Sequence, residues 1–412
     1  MKVSIITLGC PKNLVEAEKI IGKIEDKVEL TGAEDADILI LKTCGFIKEA
    51  IEESEGWIRR LIDLKRNGKQ LIVVGCLVNR FGENLKERFP EIDHLVDLKG
   101  EMELNRILGL PPSDDKKRAI TTYPYAYLKI GDGCDNRCHY CTIPMIRGNF
   151  HSLPIEHLVC EAKALAHAGI KELILVAQDT GYYGQDLASR PLLPELLDYL
   201  SEIEGIEWLR IMYLHPAHIT DELITRIEGN SRICRYLDVP IQHCSDNILK
   251  KMGRKVKKSD LVELFSKLRE IPDLSLRTTL MVGFPGETDE DFGELCAFVE
   301  EVGFEHFGIF PYSPEPETGA YCLPDRIGPE KIAERVARLE ELRDRITHRY
   351  NQSFVGKRVK ILVDGDGKGR REFDAPEIDS LVSITDKTRI GEFVEVKIDS
   401  AQGWRLKGIL CR

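Results

Sequence analysis

Residues 125–141 of the chain read YAYLKIGDGCDNRCHYC, an apolar run that leads directly into three cysteines. Cys134, Cys138 and Cys141 are separated by three and two residues, in a C-x3-C-x2-C arrangement. Three thiolates at this spacing can bind three irons of a four-iron cluster, and no fourth cysteine follows at the ferredoxin spacing. One iron would then be open to an external ligand, as at a reactive rather than a structural metal site. The alternative is a zinc site of three cysteines that His139 or a distant residue completes.

This triplet resembles the cluster motif of the radical S-adenosylmethionine (SAM) superfamily, and the resemblance extends over the whole central segment. The resemblance implies that the open iron binds the amino and carboxylate groups of SAM. It also implies that one electron from the cluster cleaves the sulfonium to give a 5′-deoxyadenosyl radical. Tyr140, the aromatic residue before the last cysteine, would pack near the adenine; packing within the loop alone is the alternative.

The segment around the triplet alternates strand-like and helical runs from residue 120 to 351. Six strand-like runs in series predict a partial β/α barrel, whose chemistry lies at the C-terminal ends of its strands. The strand candidates are residues 125–133, 172–179, 208–215, 236–243, 274–286 and 306–313.

Residues 1–112 predict a separate, doubly wound α/β domain. Its three apolar runs, at 3–9, 36–43 and 69–75, are short, aliphatic and not alternating. This pattern is typical of parallel strands that are buried on both faces. A polar linker at 112–120 follows.

Residues 352–412 change character, with short strands at 355–365, 381–386 and 392–400 that are separated by Gly and Asp turns, and no helix. They predict a small antiparallel β-barrel. The chain is therefore expected to contain three domains, at 1–112, 120–351 and 352–412.

A second set of cysteines, Cys10, Cys44 and Cys76, has no motif spacing, but each one ends an apolar run (ITLGC, LILKTC and LIVVGC). In a parallel sheet the C-terminal strand ends line one crevice, so the three thiols are expected to converge. A second three-cysteine cluster with an open iron is the preferred interpretation. The alternative is three unrelated buried cysteines.

Two such clusters, an α/β domain before the barrel and a small β-barrel after it resemble the methylthiotransferase family over essentially the entire chain. Several strings are similar to the branch that modifies a ribosomal protein (RimO type) rather than to the transfer-RNA branch (MiaB type). They are GCPKN at 9–13, CGFI at 44–47, QDT at 178–180, IQHCSD at 241–246 and DAPEID at 374–379. The terminal barrel resembles a TRAM domain, a nucleic-acid-binding module in many relatives.

Polar and glycine residues at predicted strand ends are candidates for binding SAM. Gly283 and Gly286 of the GFPGE string follow a strand and precede a helix, where glycine lets the backbone approach a ligand. Arg277 is expected either to pair with the methionine carboxylate of SAM or to form a structural salt bridge. The other candidates at strand ends are Gln178, Asp179 and Gln242.

The composition narrows the choice of partner. A formal net charge of −11 argues against a generally basic nucleic-acid binder, and residues 352–412 carry 12 Lys or Arg against 10 Asp or Glu. That balance suits a basic protein substrate better than RNA, although direct RNA contact stays open. No apolar run approaches the roughly 20 residues that span a bilayer, and the N-terminus has no cleavable signal pattern, so a cytoplasmic location is expected.

The resemblance implies a radical SAM methylthiotransferase with two [4Fe–4S] clusters and a reducing electron donor. The expected target is the β-carbon of an aspartate in small-subunit ribosomal protein twelve. Methylthiolation of a transfer-RNA adenosine is one alternative. A non-catalytic iron–sulfur electron carrier is another, but it would need closed four-cysteine sites, and neither set has a fourth ligand.

Overall fold

The computed structural model describes residues 1–65, 68–110 and 117–411. Three bodies follow one another in the described chain: a five-stranded sheet, a six-stranded sheet and a closed five-stranded barrel. The predicted fold class is confirmed. The predicted boundary at residue 112 and most of the predicted linker fall on 111–116, outside the described residues. No helix in the described ranges combines the length and apolarity needed to cross a membrane.

The N-terminal sheet is entirely parallel, with strands in the order β2-β1-β3-β4-β5. Its central strand is buried at all six positions. Leu39 and Leu41 pack into one core and Ile38 and Ile40 into the other, so helices cover both faces. β2 and β5 were not predicted because strands this short carry no periodicity. The strands are β1 (Lys2–Thr7), β2 (Glu29–Leu30), β3 (Ile38–Thr43), β4 (Gln70–Gly75) and β5 (His94–Val96). The helices are α1 (Pro11–Ile24), α2 (Lys48–Leu64), α3 (Cys76–Phe81), α4 (Glu83–Arg88) and α5 (Glu101–Ile107).

The central body is a parallel sheet of six strands in the order β13-β12-β11-β10-β9-β6, and a small antiparallel pair, β7 and β8, lies beside it. Among the described residues β6 and β13 do not pair, so the barrel is open along one side. The strands are β6 (Tyr125–Lys129), β7 (Gly131–Asp132), β8 (His151–Ser152), β9 (Glu172–Val176), β10 (Trp208–Ile211), β11 (Ile233–Asp238), β12 (Ser275–Val282) and β13 (His306–Pro311). The helices are α6 (Ile143–Arg147), α7 (Ile155–His167), α8 (Gln185–Ala188), α9 (Leu193–Ser201), α10 (Asp221–Gly229), α11 (Asp246–Lys251), α12 (Lys258–Arg269), α13 (Asp289–Val302) and α14 (Pro329–Gln352).

The interior of this open barrel is filled on one side and open on the other. Near β6 and β9 it is packed, because Val15 of α1 joins the inward residues Tyr127 and Ile174 in one apolar cluster. On β12 the outward residues are buried against the helices, whereas the inward residues Arg277, Thr279 and Met281 are partly exposed. A crevice therefore remains between β12, β13 and the N-terminal domain.

The terminal barrel closes the opposite, N-terminal end of the central strands. Arg370 pairs with Glu172, the first residue of β9, at 2.6 Å. His306, the first residue of β13, hydrogen-bonds through Nε2 to the carbonyl of Phe373 at 3.1 Å. One strand pair, β16 with β18, is parallel, so the predicted purely antiparallel barrel was wrong at this pair. The strands are β14 (Arg358–Gly365), β15 (Lys368–Arg371), β16 (Leu381–Ile384), β17 (Phe393–Gln402) and β18 (Arg405–Leu410).

Candidate active site

The cysteine triplet of the central body lies in the loop after β7. Gly133 has a φ of 77°, and a Cβ there would collide with the backbone of Asn149, so only glycine allows this close approach. Asn136 donates from Nδ2 to the Sγ of Cys134 at 3.5 Å. Burial, and then the neighbouring thiols of Cys138 and Cys134, raise the pKa of Cys141.

The N-terminal triplet is assembled from three strand ends, as the sequence predicts. Cys10, Cys44 and Cys76 follow β1, β3 and β4, which are neighbours in the sheet. A Cβ on Gly9 would lie 2.8 Å from the Cβ of Cys44, so glycine is required where the first two ends meet. Burial raises the pKa of Cys44 to about 11, and Cys76 and Cys10 contribute in the same direction.

Buried cations surround the N-terminal triplet. Arg147 donates from Nη2 to the Sγ of Cys76 at 3.3 Å and to the Oδ1 of Asn13 at 2.7 Å. Its other nitrogen, Nη1, pairs with Glu16 at 2.8 Å and with Asp132 at 2.9 Å. Burial lowers the pKa of Lys12, whereas the thiol of Cys10 beside it acts in the opposite direction. Hydrogen-bond donors and positive charge around sulfur stabilise thiolates, which is the form that binds iron.

The spacing of the sulfurs fits clusters better than single ions. At a tetrahedral zinc with zinc–sulfur bonds of about 2.3 Å, the sulfurs lie roughly 3.8 Å apart. Within the described parts of the chain, neither triplet has its three sulfurs within 4.8 Å of one another. In a four-iron cluster each thiolate binds a different iron and the sulfurs are spaced more widely. The imidazole of His139, the proposed fourth zinc ligand, instead hydrogen-bonds through Nδ1 to the carbonyl of Lys251 at 2.9 Å.

The short helix α6, which follows Cys141, joins the two triplets. Thr142, just before it, donates to the carbonyl of Phe46 at 2.8 Å, and Asn79 donates to the carbonyl of Ile146 at 3.1 Å. Arg147 at its end reaches Cys76. Both triplets therefore face one crevice between the N-terminal domain and the mouth of the barrel.

A second contact holds the two bodies together on the far side of this crevice. Arg80 of α3 pairs with Glu315, which follows β13, at 2.7 Å, and both side chains are buried. The other oxygen of Glu315 accepts from the backbone nitrogen of Lys48 at 2.9 Å. The N-terminal domain is thus fixed at two points over the barrel mouth.

Tyr140 and the GFPGE loop, both predicted to lie near SAM, belong to one apolar cluster through Phe284. The hydroxyl of Tyr140 accepts from Nη1 of Arg254 at 3.0 Å. Gly283 and Gly286 have φ values of 77° and 76°. At Gly283 an added Cβ would lie 2.5 Å from the side chain of Ile332, so packing against α14 by itself requires glycine there.

Gln178 and Asp179 lie directly after β9 and support the loop of the central triplet. Gln178 donates to Asp132 at 3.1 Å. The buried carboxylate of Asp179 accepts from Asn136 at 2.7 Å and contacts Nδ1 of His218 at 2.6 Å. The carboxylate is thus fully engaged within the chain, and through Asn136 it supports the loop of the central triplet.

Gln242 lies at the barrel mouth in a left-handed backbone conformation, with a φ of 69°. Its backbone bridges to β12, donating to the carbonyl of Thr279 at 2.8 Å and accepting from Met281 at 2.7 Å. A non-glycine residue held in this conformation is uncommon and is often found at functional sites.

Arg277, for which the sequence left two roles open, contacts the terminal barrel. Its Nη1 pairs with Asp379 of the terminal barrel at 2.7 Å. That guanidinium is committed to a buried carboxylate, which agrees with the second expectation, a structural salt bridge. Asp379 also accepts from Tyr236 at 2.7 Å, so the DAPEID string serves to lock the terminal barrel to the central one.

Comparisons with known proteins agree with this architecture. Family models match in three places: an uncharacterised protein family, UPF0004, over residues 2–97, the radical SAM superfamily over 128–299, and the TRAM domain over 355–410. The ribosomal protein uS12 methylthiotransferase RimO of Lachnoclostridium phytofermentans is 44% identical, with 99% of each chain covered. That of Clostridioides difficile is 43% identical, covering 99% of this chain and 98% of the relative. The chain belongs to the RimO family of methylthiotransferases. Membership brings the cofactors of the family, two [4Fe–4S] clusters and SAM.

Solved structures of more distant proteins share the fold. The radical SAM methyltransferase TsrM of Kitasatospora setae aligns with a TM-score of 0.58 at 14% identity, covering 77% of this chain and 76% of that chain. The cobalamin-dependent radical SAM enzyme OxsB aligns with a TM-score of 0.53 at 13% identity, covering 83% and 56%.

Sequence reasoning missed the charged residues that join the two sites. Arg147, Glu16, Lys129 and Asp132 form one network between the domains, in which the side chain of Arg147 is buried and the others are partly buried. Arg147 follows the last cysteine by six residues, but nothing in its spacing indicates a contact 71 residues away at Cys76. Only the docking of the domains reveals it.

Proposed function

We propose that this enzyme transfers a methylthio group to the β-carbon of an aspartate in ribosomal protein uS12, the substrate named for its relatives. The observation that carries the proposal is the convergence of two cysteine triplets on one crevice. They lie at C-terminal strand ends of two parallel sheets, where ligands bind in such folds. Arg147 contacts the sulfur of Cys76 while lying six residues after Cys141.

In this proposal each triplet binds its own cluster through its three sulfurs. When bound, the clusters and SAM supply the electron, the carbon radical, the methyl group and the sulfur. Radical chemistry is needed because a general base of ordinary strength cannot remove an unactivated hydrogen. The ligands of one cluster are Cys10, Cys44 and Cys76, and those of the other are Cys134, Cys138 and Cys141.

The remaining candidates at the barrel mouth would orient SAM. Tyr140 and the GFPGE loop, with Gly283 and Gly286, would form an apolar face for the adenine. Gln178 and Gln242 would offer amide groups from neighbouring strand ends. Asp179 would act indirectly, by holding Asn136 and with it the loop of the central triplet.

The three segments 1–112, 120–351 and 352–412 are proposed as the functional units. The near-neutral balance of 352–412 favours a protein substrate over transfer RNA. A reducing electron donor is required, and a ribosomal substrate would place the enzyme in the cytoplasm.

A substrate competition tests the proposal. Anaerobically reconstituted enzyme, SAM and a reductant are offered uS12 and unmodified transfer RNA together, and both are analysed by mass spectrometry. A methylthio group on one aspartate of uS12 is the expected result. Modification of the nucleoside would overturn the substrate, and cleavage of SAM without modification of either would overturn the proposed reaction.

A further inference from the structure

Lys12 lies between the N-terminal triplet and the strand ends of the barrel. It is the second residue of α1, two residues after Cys10, and its side chain crosses to the central body. Its Nζ is 3.4 Å from the carbonyl oxygen of Ala177, just after β9, and 4.1 Å from the centre of the Tyr213 ring, just after β10. Lys12 is only 8% exposed.

The other cations beside the N-terminal triplet have carboxylate partners. Lys42 pairs with Glu16 at 2.5 Å, and Lys129 and Arg147 pair with both Glu16 and Asp132. Among the described residues no carboxylate oxygen lies within the 4.0 Å of an ion pair with Nζ of Lys12. Besides the thiol of Cys10, only a carbonyl and an aromatic face offset the cost of burying this ammonium group, so it can take a further anionic partner.

Tyr213 links Lys12 to the crevice of the open barrel, because its backbone nitrogen donates to Asp238 at 3.2 Å and Asp238 lies 3.8 Å from Arg277 on β12. The β12 wall of the crevice is formed by the partly exposed inward residues Thr279 and Met281, and Phe310 at the end of β13 is 49% exposed. Arg277, the cation of that wall, is committed to Asp379. Among the cations beside the N-terminal triplet, Lys12 is therefore the one without a carboxylate partner in the described chain. Arg254, which also has none, lies beside Tyr140 and donates to its hydroxyl and to the carbonyl of Pro240.

From this geometry we infer that Lys12 binds the carboxylate of the substrate aspartate, an inference that rests on the proposed function. The target β-carbon is bonded directly to the carboxylate carbon. A charge-assisted contact at one atom would therefore fix the β-carbon at the Cys10 side of the crevice. The same contact discriminates between substrates, because a neutral adenosine offers no carboxylate to the ammonium group.

Binding measurements test the inference apart from catalysis. The full-length enzyme, reconstituted with clusters and supplied with SAM but no reductant, is titrated with uS12 and with uS12 in which the target aspartate is replaced by asparagine. Wild-type enzyme is expected to bind the aspartate form about tenfold more tightly, because hydrogen bonds between charged groups are roughly twice as strong as neutral ones. In Lys12→Met this ratio should fall to about one, and Lys12→Arg should keep part of it.

Lys19→Met is the matched control, because Lys19 lies on the same helix with its Nζ paired to Glu161 outside the crevice. It should keep the wild-type ratio. Iron content of each variant shows whether its clusters are intact. If Lys12→Met does not assemble, the ratio measured for the wild-type enzyme still tests the inference. A wild-type ratio near one, or a tenfold ratio that survives in Lys12→Met, would overturn the inference. Failure of wild-type enzyme to modify uS12 under reducing conditions would instead overturn the proposed function.

Discussion

Cys134, Cys138 and Cys141 lie within eight residues of one loop, whereas Cys10, Cys44 and Cys76 are brought together from the ends of three strands. The loop triplet is shaped within the central body, by a glycine at 133, a hydrogen bond from Asn136 and the carboxylate of Asp179 that holds Asn136. The strand-end triplet depends on the register of a whole sheet and on a cation, Arg147, that another domain supplies. Its assembly is therefore coupled to the docking of the domains, and that of the loop triplet is not.

The largest expected effect separates the chemistry of the two triplets. Cys138→Ala should reduce cleavage of SAM to background, whereas Cys44→Ala should keep cleavage and lose the methylthio product. The reason is that only the loop triplet is proposed to hold the cluster that cleaves SAM. Both products are quantified by mass spectrometry after anaerobic incubation. Cys160→Ala, an exposed cysteine on α7, serves as the control and should retain both activities. Loss of SAM cleavage in Cys44→Ala would contradict the different roles proposed for the two triplets.

Removal of Arg147 tests whether the strand-end triplet needs the docked domain. Its side chain is buried and pairs with Glu16 and Asp132, so Arg147→Met leaves two partly buried carboxylates with fewer partners. We expect a loss of about 3–5 kcal/mol in the free energy of unfolding, measured with urea. Arg345→Met breaks an exposed pair with Glu300 and should cost less than about 1 kcal/mol. Equal effects of the two substitutions would contradict the coupling.

Two glycine substitutions separate the effect of steric crowding at the strand-end triplet from that of backbone strain at a positive φ. Gly9→Ala combines a φ of 88° with a contact of 2.8 Å to the Cβ of Cys44, and should cost about 2–3 kcal/mol and lower iron content. Gly148→Ala, beside the loop triplet, has a φ of 78° but no atom within 4 Å of the added Cβ. It should cost about 1 kcal/mol and leave the iron content unchanged. The free energy of unfolding and the iron content of both variants test this difference, and equal effects in the two variants would contradict it.

The smallest expected effect is a dependence of the free energy of unfolding on pH, which comes from His215 near the loop triplet. Burial, followed by the charge of Arg254, lowers the pKa of His215 to about 3. The unfolded chain binds a proton below its ordinary pKa of about 6.5 and the folded chain does not, so this contribution to stability is present above pH 6.5 and is lost as the pH falls toward 3. The slope from this one group is at most about 1.4 kcal/mol per pH unit.

Urea midpoints at several pH values between 5 and 7.5 measure that slope. His215→Asn should flatten it, because asparagine has no proton to gain. His157→Asn, on the exposed face of α7, should not. An unchanged slope in His215→Asn would show that another group is responsible.

The parts predicted from sequence are those with local signals. The loop triplet follows from its spacing, and the strand-end triplet from the position of each cysteine after an aliphatic run. β2 and β5 were missed because two or three residues carry no pattern. β15 and β18 were missed because polar and glycine residues interrupt their alternation.

Long-range partners could not be predicted. The sequence left Arg277 with two possible roles, a contact with SAM or a structural salt bridge. It could not identify the partner in that salt bridge, because Asp379 lies 102 positions away. The DAPEID string was recognised as typical of the RimO branch, but its physical role, closing the N-terminal end of the open barrel, required the docked structure.

Iron and sulfide analysis of two triple variants tests the central claim most directly, namely that each triplet holds its own cluster. Wild-type protein reconstituted anaerobically should contain about eight irons and eight sulfides per chain. Replacing Cys10, Cys44 and Cys76 with alanine should leave about four of each, and replacing Cys134, Cys138 and Cys141 should also leave about four. Zinc without sulfide in the wild-type protein, or a variant that keeps all of its iron, would contradict the account.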